Sequence, residues 1–155
     1  MNDEPEEPAA PATASASCVF CAIIAGERPA DFILREGDAS AGVVAFLDAR
    51  PLFKGHVLVV PSAHVATLPD LPRAGLEPLF GAVQRVARAV EVGLDAHGSF
   101  VAMNNKVSQS VPHLHVHVVP RRRKDGLRGF FWPREPYVSA AEREEIAARI
   151  KAALR

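Results

Sequence analysis

The sequence predicts an α+β fold built on an antiparallel sheet. Short runs rich in β-branched residues follow one another early in the chain, with little but turn residues between them. A long segment with helical periodicity then intervenes before two further strand-like runs. Strands that come in runs, with helices between the runs, mark α+β folds rather than the strict strand–helix alternation of parallel sheets. The third observation is a stretch that alternates histidine with aliphatic residues, a pattern that an extended chain sorts onto two faces.

Taken in order, residues 19–25 form a short apolar helix that Gly26 ends and Pro29 prevents from continuing. Phe32–Glu36 is a strand, followed by a Gly37-Asp38 turn. Residues 42–48 (GVVAFLD) are a second, β-branched strand. A loop over 50–55, punctuated by Pro51 and Gly55, leads to a third strand at 56–60 that stops at Pro61. Residues 76–92 form the longest helix, because Leu79, Val83, Val86 and Val90 lie three or four apart and share one face. Residues 99–104 and 113–120 are the fourth and fifth strands. A terminal helix spans 140–154, with Ser139 as its cap and Glu142 as the capping-box partner.

At 155 residues the chain is expected to hold one domain, and its 48% apolar content supports a real core. Residues 1–17 are acidic and then rich in Ala, Pro and Ser, and are expected to be a disordered tail. They lack the basic-then-apolar order of a secretory signal. The domain is expected over 18–122, with an extension over 123–155 that carries an aromatic segment and the terminal helix. Lysine plus arginine equals aspartate plus glutamate at 18 each, so bulk charge supplies no argument for a nucleic-acid partner, and none is expected. No run is long and apolar enough to cross a membrane. The only cysteines, Cys18 and Cys21, are a close pair without a recognisable export signal. That combination points to a reducing, cytoplasmic setting and to a ligand or redox role rather than a structural disulfide.

The most telling stretch is His113-Leu114-His115-Val116-His117-Val118-Val119. In an extended chain its three imidazoles emerge on one side, while Leu114, Val116 and Val118 go to the other, into a core. Imidazoles titrate near neutrality, so a row of them is good chemical equipment and poor packing material. With six histidines in the whole chain, three at period two are not expected by chance.

Extended to Ser108-Gln109-Ser110-Val111-Pro112 upstream and Pro120-Arg121 downstream, this stretch resembles the signature of the histidine triad (HIT) superfamily. The segment from Cys18 through Gly26 to Glu27 resembles the family's N-terminal helix. Phe46-Leu47-Asp48, then Gly55-His56 through Pro61, and His64 resemble its central strands. The resemblance covers about 18–122 and implies a five-stranded antiparallel sheet with two main helices. It also implies a homodimer in which two sheets join into one of ten strands, and a purine nucleotide as ligand.

The same resemblance assigns roles. His115 is the expected nucleophile at the α-phosphate, forming a nucleotidyl-histidine that water then opens. Neutral imidazole suits this task, and a covalent step divides one hard displacement into two easier ones. The backbone carbonyl of His113 is expected to hold the other ring nitrogen of His115. His117 and His56 would contact the phosphate or supply a proton to the departing atom. Gln109 and Ser110 would hydrogen-bond phosphate or leaving-group oxygens, so that no metal is expected in the catalytic step. Asp48 would accept the ribose hydroxyls, Asn104 would face the ribose-phosphate, and Phe20, Ile23, Ile24 and Phe46 would line the base.

Cys18, Cys21, His64 and His113 form a second constellation. Thiolates and imidazoles suit tetrahedral zinc, and a two-residue gap lets both sulfurs reach one ion. Family members with an N-terminal Cys-x-x-Cys resemble zinc binders of this kind, which implies a structural zinc here; a metal-free or redox-active thiol pair is the alternative.

The expected activity is that of a purine nucleoside (adenosine 5′-) phosphoramidase releasing AMP. Diadenosine polyphosphate hydrolysis and nucleotidyl transfer are the neighbouring alternatives. A catalytic zinc on three histidines and a nucleotide-binding scaffold with incidental catalysis are readings of other classes. A basic run, Arg121-Arg122-Arg123-Lys124, and an aromatic one, Phe130-Phe131-Trp132 with Arg134, follow the triad. The first reads as a solvated face that can attract polyphosphate. The second reads as a docking segment near which selectivity resides.

Overall fold

The computed structural model describes residues 17–128 and 135–153. The expected tail, apart from Ser17, and the aromatic segment with Phe130, Phe131, Trp132 and Arg134 lie outside the described residues. Two compact units are present, one ending at Asp125 and one beginning at Gly126.

In the first unit the elements run α1 (Val19–Ile24), β1 (Phe32–Glu36), β2 (Val43–Leu47), β3 (Val57–Pro61), α2 (Leu76–Gly93), β4 (Gly98–Ala102) and β5 (Val116–Arg121). The strands form one sheet in the order β1-β2-β3-β5-β4. Every neighbouring pair is antiparallel. The expected five-stranded antiparallel α+β architecture is the one observed.

The central strands read as unbroken apolar runs because both of their faces are covered. Val43 and Ala45 of β2, Val57 and Val59 of β3, and Val116 and Val118 of β5 pack with Leu79, Ala82, Val83, Val86 and Val90 of α2. The alternate residues Val44, Phe46, Leu58 and Val60 pack with Phe20 and Ile23 of α1 on the opposite face. The α2 positions expected to share a face are all buried. Leu79 is fully enclosed, and truncating such a leucine to alanine costs about 2–5 kcal/mol.

Helix α1 is short because its end is built in. Gly26 takes φ +78°, its N–H donates to the Ile23 carbonyl, and Glu27 N–H donates to Ala22. This paired closure through a left-handed residue favours glycine. At the other end, Cys18 is the N-cap, its Sγ accepting the Cys21 N–H at 3.5 Å.

Most strand limits shift by a residue from expectation, and two larger differences bear on the site. The fourth strand ends at Ala102, so Asn104 lies in the following loop. The fifth starts at Val116, not at residue 113. The reason is where the backbone bonds go: His113 N–H donates to Val111 and Leu114 N–H to Val65, neither of which belongs to the ladder. The side chains alternate all the same, with Leu114 joining the α2 face and His113 turned toward Phe20.

In the second unit, α3 (Ala140–Ala153) begins as expected. Glu142 N–H donates to Ser139 Oγ at 3.1 Å, and the Glu142 carboxylate reaches back to the Val138 N–H.

Candidate active site and metal cluster

Strands β3 and β5 lie side by side, and the ends of this pair hold two clusters. Pairing of Leu58 with His117 and of Val57 with Val118 fixes the register. His56, just before β3, therefore meets His117 within β5. Pro61, the last residue of β3, and His64, just beyond it, meet the segment that precedes β5.

At the first end the ring nitrogens are wired in series. The backbone N–H of Leu52 donates to His56 Nδ1 at 3.2 Å. The proton of His56 is therefore on Nε2, which donates to His117 Nδ1 at 2.9 Å. That leaves the Nε2 of His117 as an N–H donor. Asp48 Oδ2 stands 3.6 Å from His56 Nδ1, while its Oδ1 accepts the Arg50 N–H at 2.8 Å. Burial is the first cause of a lowered pKa at both His56 and His117. His115 opposes protonation of both, and the Asp48 carboxylate partly offsets it. For His117 the value falls to about 4. Both rings are thus neutral at pH 7, as the wiring requires.

His115 lies beside this pair, its ring 4.9 Å from that of His117. Its Nδ1–H donates to the backbone carbonyl of His113 at 2.7 Å. A carbonyl only accepts, so the proton is on Nδ1 and the lone pair is on Nε2. A neutral imidazole with one nitrogen held and the other bearing the lone pair is equipped for nucleophilic attack.

At the second end, His113 is fully buried and arranged the other way round. Its Nε2–H donates to the Pro61 carbonyl at 2.9 Å, so Nδ1 bears the lone pair. That nitrogen faces Cys18 Sγ at 3.5 Å and Cys21 Sγ at 3.6 Å. His64 Nδ1 lies 3.3 Å from Cys21 Sγ. Burial holds the His113 pKa down at about 4, so the ring is neutral and able to ligate. The four donor atoms lie within 4.8 Å of one another. A tetrahedral ion with bonds of about 2.0 Å to nitrogen and about 2.3 Å to sulfur sets its ligands roughly 3.5 Å apart, so these residues fit a metal ion. The carbonyl on the far nitrogen of His113 is the kind of partner that orients metal-bound histidines.

Other expected residues have different neighbours. Gln109 braces its own loop, donating from Nε2 to Ala66 O at 2.6 Å and accepting the Lys106 N–H at 2.8 Å. Asn104 Nδ2 donates to Ser108 O at 3.2 Å, and Ser110 is exposed. Phe20, Ile23 and Phe46 are buried core residues, with Ile24 packed against them. Asp48, His56 and His117 also form a donor cluster of their own, with one oxygen and two nitrogens within 4.8 Å. Sequence reasoning missed the Leu52 N–H and the Pro61 carbonyl, because main-chain groups carry no residue signature. It also missed the stacking of Phe20 edge-on against His115, at 5.2 Å between ring centres.

A five-stranded antiparallel sheet with a row of histidines on one strand pair, beside a cysteine–histidine cluster that fits a metal ion, defines a class of α+β proteins. The HIT domain profile matches residues 26–124, and the chain belongs to that family. It is 41% identical over 124 residues to an uncharacterized HIT-like protein of Mycobacterium tuberculosis, spanning 77% of this chain and 83% of that protein. It is 40% identical over 120 residues to an adenosine 5′-monophosphoramidase of Saccharomyces cerevisiae, spanning 76% and 72%. Among solved structures, a HIT family member from Bacillus subtilis superposes with a TM-score of 0.79 at 31% identity, covering 90% of this chain and 98% of that one. A zinc-bound histidine triad family protein from Mycobacterium smegmatis gives a TM-score of 0.65 at 36% identity, covering 89% and 98%.

Proposed function

We propose that this protein is a nucleotide hydrolase acting at the α-phosphate, specifically a purine nucleoside phosphoramidase that releases AMP from adenosine 5′-phosphoramidates. The observation that carries the reading is the tautomer pair: His115 holds its proton on Nδ1 and its lone pair on Nε2, while His117 carries an N–H on the nitrogen not engaged by His56. The lone pair of His115 Nε2 attacks phosphorus, the P–N bond breaks, and the departing nitrogen, hydrogen-bonded by His117 Nε2–H, takes its proton from solvent. Water then attacks the nucleotidyl-histidine; the N–P bond breaks, its electron pair returns to His115 Nε2, AMP departs and the proton of that water goes to solvent. Asp48 takes the ribose hydroxyls, and Asn104, Gln109 and Ser110 face the phosphate side. The yeast relative named as a phosphoramidase supports this choice of substrate.

In the same proposal Cys18, Cys21, His64 and His113 hold a structural zinc that joins the N-terminal segment to the sheet. The zinc-bound relative supports that ion. A second copy pairs along β4 to give ten strands. The β1 edge is guarded by Arg35, Glu36 and a register irregularity between Phe32 and Leu34, features that deter strand addition. The β4 edge, GSFVA, has no charge and exposes Val101. No helix among the described residues is long and apolar enough to cross a membrane, which accords with a cytoplasmic setting.

The test is product analysis with adenosine 5′-phosphoramidate and a diadenosine polyphosphate, offered separately to the wild type and His115→Ala. AMP release from the phosphoramidate that the variant loses is the expected result. Preference for the dinucleotide would reassign the leaving group, and turnover retained by His115→Ala would overturn the nucleophile.

A further inference from the structure

We infer that the Cys18–Cys21–His64–His113 cluster sets the position of the nucleophile, with the His113 and Phe20 side chains as positioning residues for His115. The inference rests on the reading above, in which His115 attacks and the cluster holds an ion.

Two connections carry it. The first runs through the main chain of His113. The carbonyl that accepts the His115 Nδ1–H at 2.7 Å belongs to the residue whose ring faces both cysteine sulfurs. That carbonyl is not located by the sheet, because the β5 ladder begins only at Val116. Two things anchor it instead: the buried ring of His113, held by Pro61 O on one nitrogen and facing the sulfurs with the other, and the Leu114 N–H of the same peptide unit, which donates at 2.6 Å to the carbonyl of Val65, the residue after His64. An ion that pulls Nδ1 to a fixed point therefore also fixes the acceptor that selects the tautomer and direction of His115.

The second connection runs through the Cys-x-x-Cys loop. Phe20 lies between the two ligating cysteines and is buried. Its ring meets His115 at 5.2 Å, His113 at 5.9 Å and Phe46 at 5.5 Å, each edge-on. Edge-to-face contact favours one ring orientation over others, so the loop that presents the sulfurs also presents a wall to the nucleophile. The ion thus joins three segments: the loop at 18–21, the connection after β3 at His64, and the segment before β5 at His113. The nucleophile touches two of them. Displacement of a reacting group by about 1 Å can cost on the order of a hundredfold in rate.

The experiment begins with the zinc-loaded full chain, whose metal content and nucleotidyl-histidine adduct are measured first. Absence of either in the wild type removes the underlying reading, independently of what the variants do. The ion is then withdrawn with a chelator, well below the melting temperature of the metal-free protein. Folding is followed by circular dichroism, AMP affinity by calorimetry, His115 by imidazole ¹⁵N resonances at fixed pH, and chemistry by single turnover. The expected result is a folded protein that binds AMP within about threefold but turns over at least about tenfold more slowly. Its His115 signals move from a single Nδ1–H tautomer to a mixture, and added zinc reverses both changes. Phe20→Leu, which keeps every ligand, provides the second arm and decides the matter if the metal-free chain does not stay folded. It is expected to retain zinc and to lower kcat about three- to tenfold, with KM within about twofold. Unchanged His115 resonances and rate in Phe20→Leu, or in a folded metal-free chain, would reduce the cluster to a brace. A change in KM alone would assign Phe20 to the nucleotide base and overturn the positioning role.

Discussion

The two ends of the β3–β5 pair use histidine in opposite ways. At the His113 end, ring Nε2–H is tied to a carbonyl and Nδ1 converges with sulfurs on one point. At the His56–His117 end, the nitrogens face one another in a chain that starts at a backbone N–H and finishes in a free-standing donor. Residue type and burial are similar in the two places. What separates the two arrangements is which nitrogen the main chain occupies. His115, between them, is a third case, with its Nδ1 tied and its Nε2 left for chemistry.

The sharpest break in this contrast is His115→Ala. It is expected to lower single-turnover phosphoramidate cleavage by at least about a thousandfold, while melting temperature and AMP affinity stay close to wild type. A large loss of stability instead would mean that His115 also holds the core.

Cys21→Ser tests the other end. Metal content measured by atomic absorption should fall from one ion per chain to none. The melting temperature should drop by about 10 °C, the equivalent of several kcal/mol in a domain of this size. A variant that binds metal and melts like wild type would contradict the ligand set.

Acidification loads both ends, since His113 shares the lowered value of about 4. His56 and His117 have lowered pKa values in the fold, the latter falling from 6.5 to about 4. The unfolded chain therefore binds protons that the native chain refuses between those limits. Their contribution to stability is fully present above about pH 6.5 and is lost as pH falls toward 4. Thermal melts from pH 7 to pH 4 should decline through this window. The decline should be shallower in His117→Asn, which lacks one of the three rings with a lowered pKa.

The mildest effect belongs to Asp48→Asn. The side chain is partly exposed and an amide still offers one acceptor, so KM for the phosphoramidate should rise about three- to tenfold, with kcat changed less. A large fall in kcat would place Asp48 in the proton path beside His56 rather than on the ribose.

Much of this fold was legible because its strands and long helix carry clear patterns. Helix α2 announced its buried face through Leu79, Val83, Val86 and Val90. Strands β2 and β3 announced themselves as short apolar runs between turn residues. The start of β5 was not legible, since His113 and Leu114 look like strand residues while their amides bond to Val111 and Val65 in loops. The four thiol and imidazole donors of the metal cluster could be named from residue type and the Cys-x-x-Cys gap, and the structure brings them together. The tautomers could not be named, because they depend on the Leu52 N–H and on the carbonyls of Pro61 and His113. Gln109 adds a contact that residue type does not announce: its side chain also holds its loop through Ala66 and Lys106.

Strand β3 is five residues long, from Val57 to Pro61, with His56 immediately before it and His64 three residues beyond. It therefore works as a ruler between the two clusters. Deleting or inserting a single residue within it would reverse the faces of everything downstream and misplace both clusters at once. Substitutions can retune either cluster one atom at a time, but their spacing has no small adjustments. The pair is transmitted as a unit, and a lineage that abandons one end can keep the other only by keeping the strand between them intact.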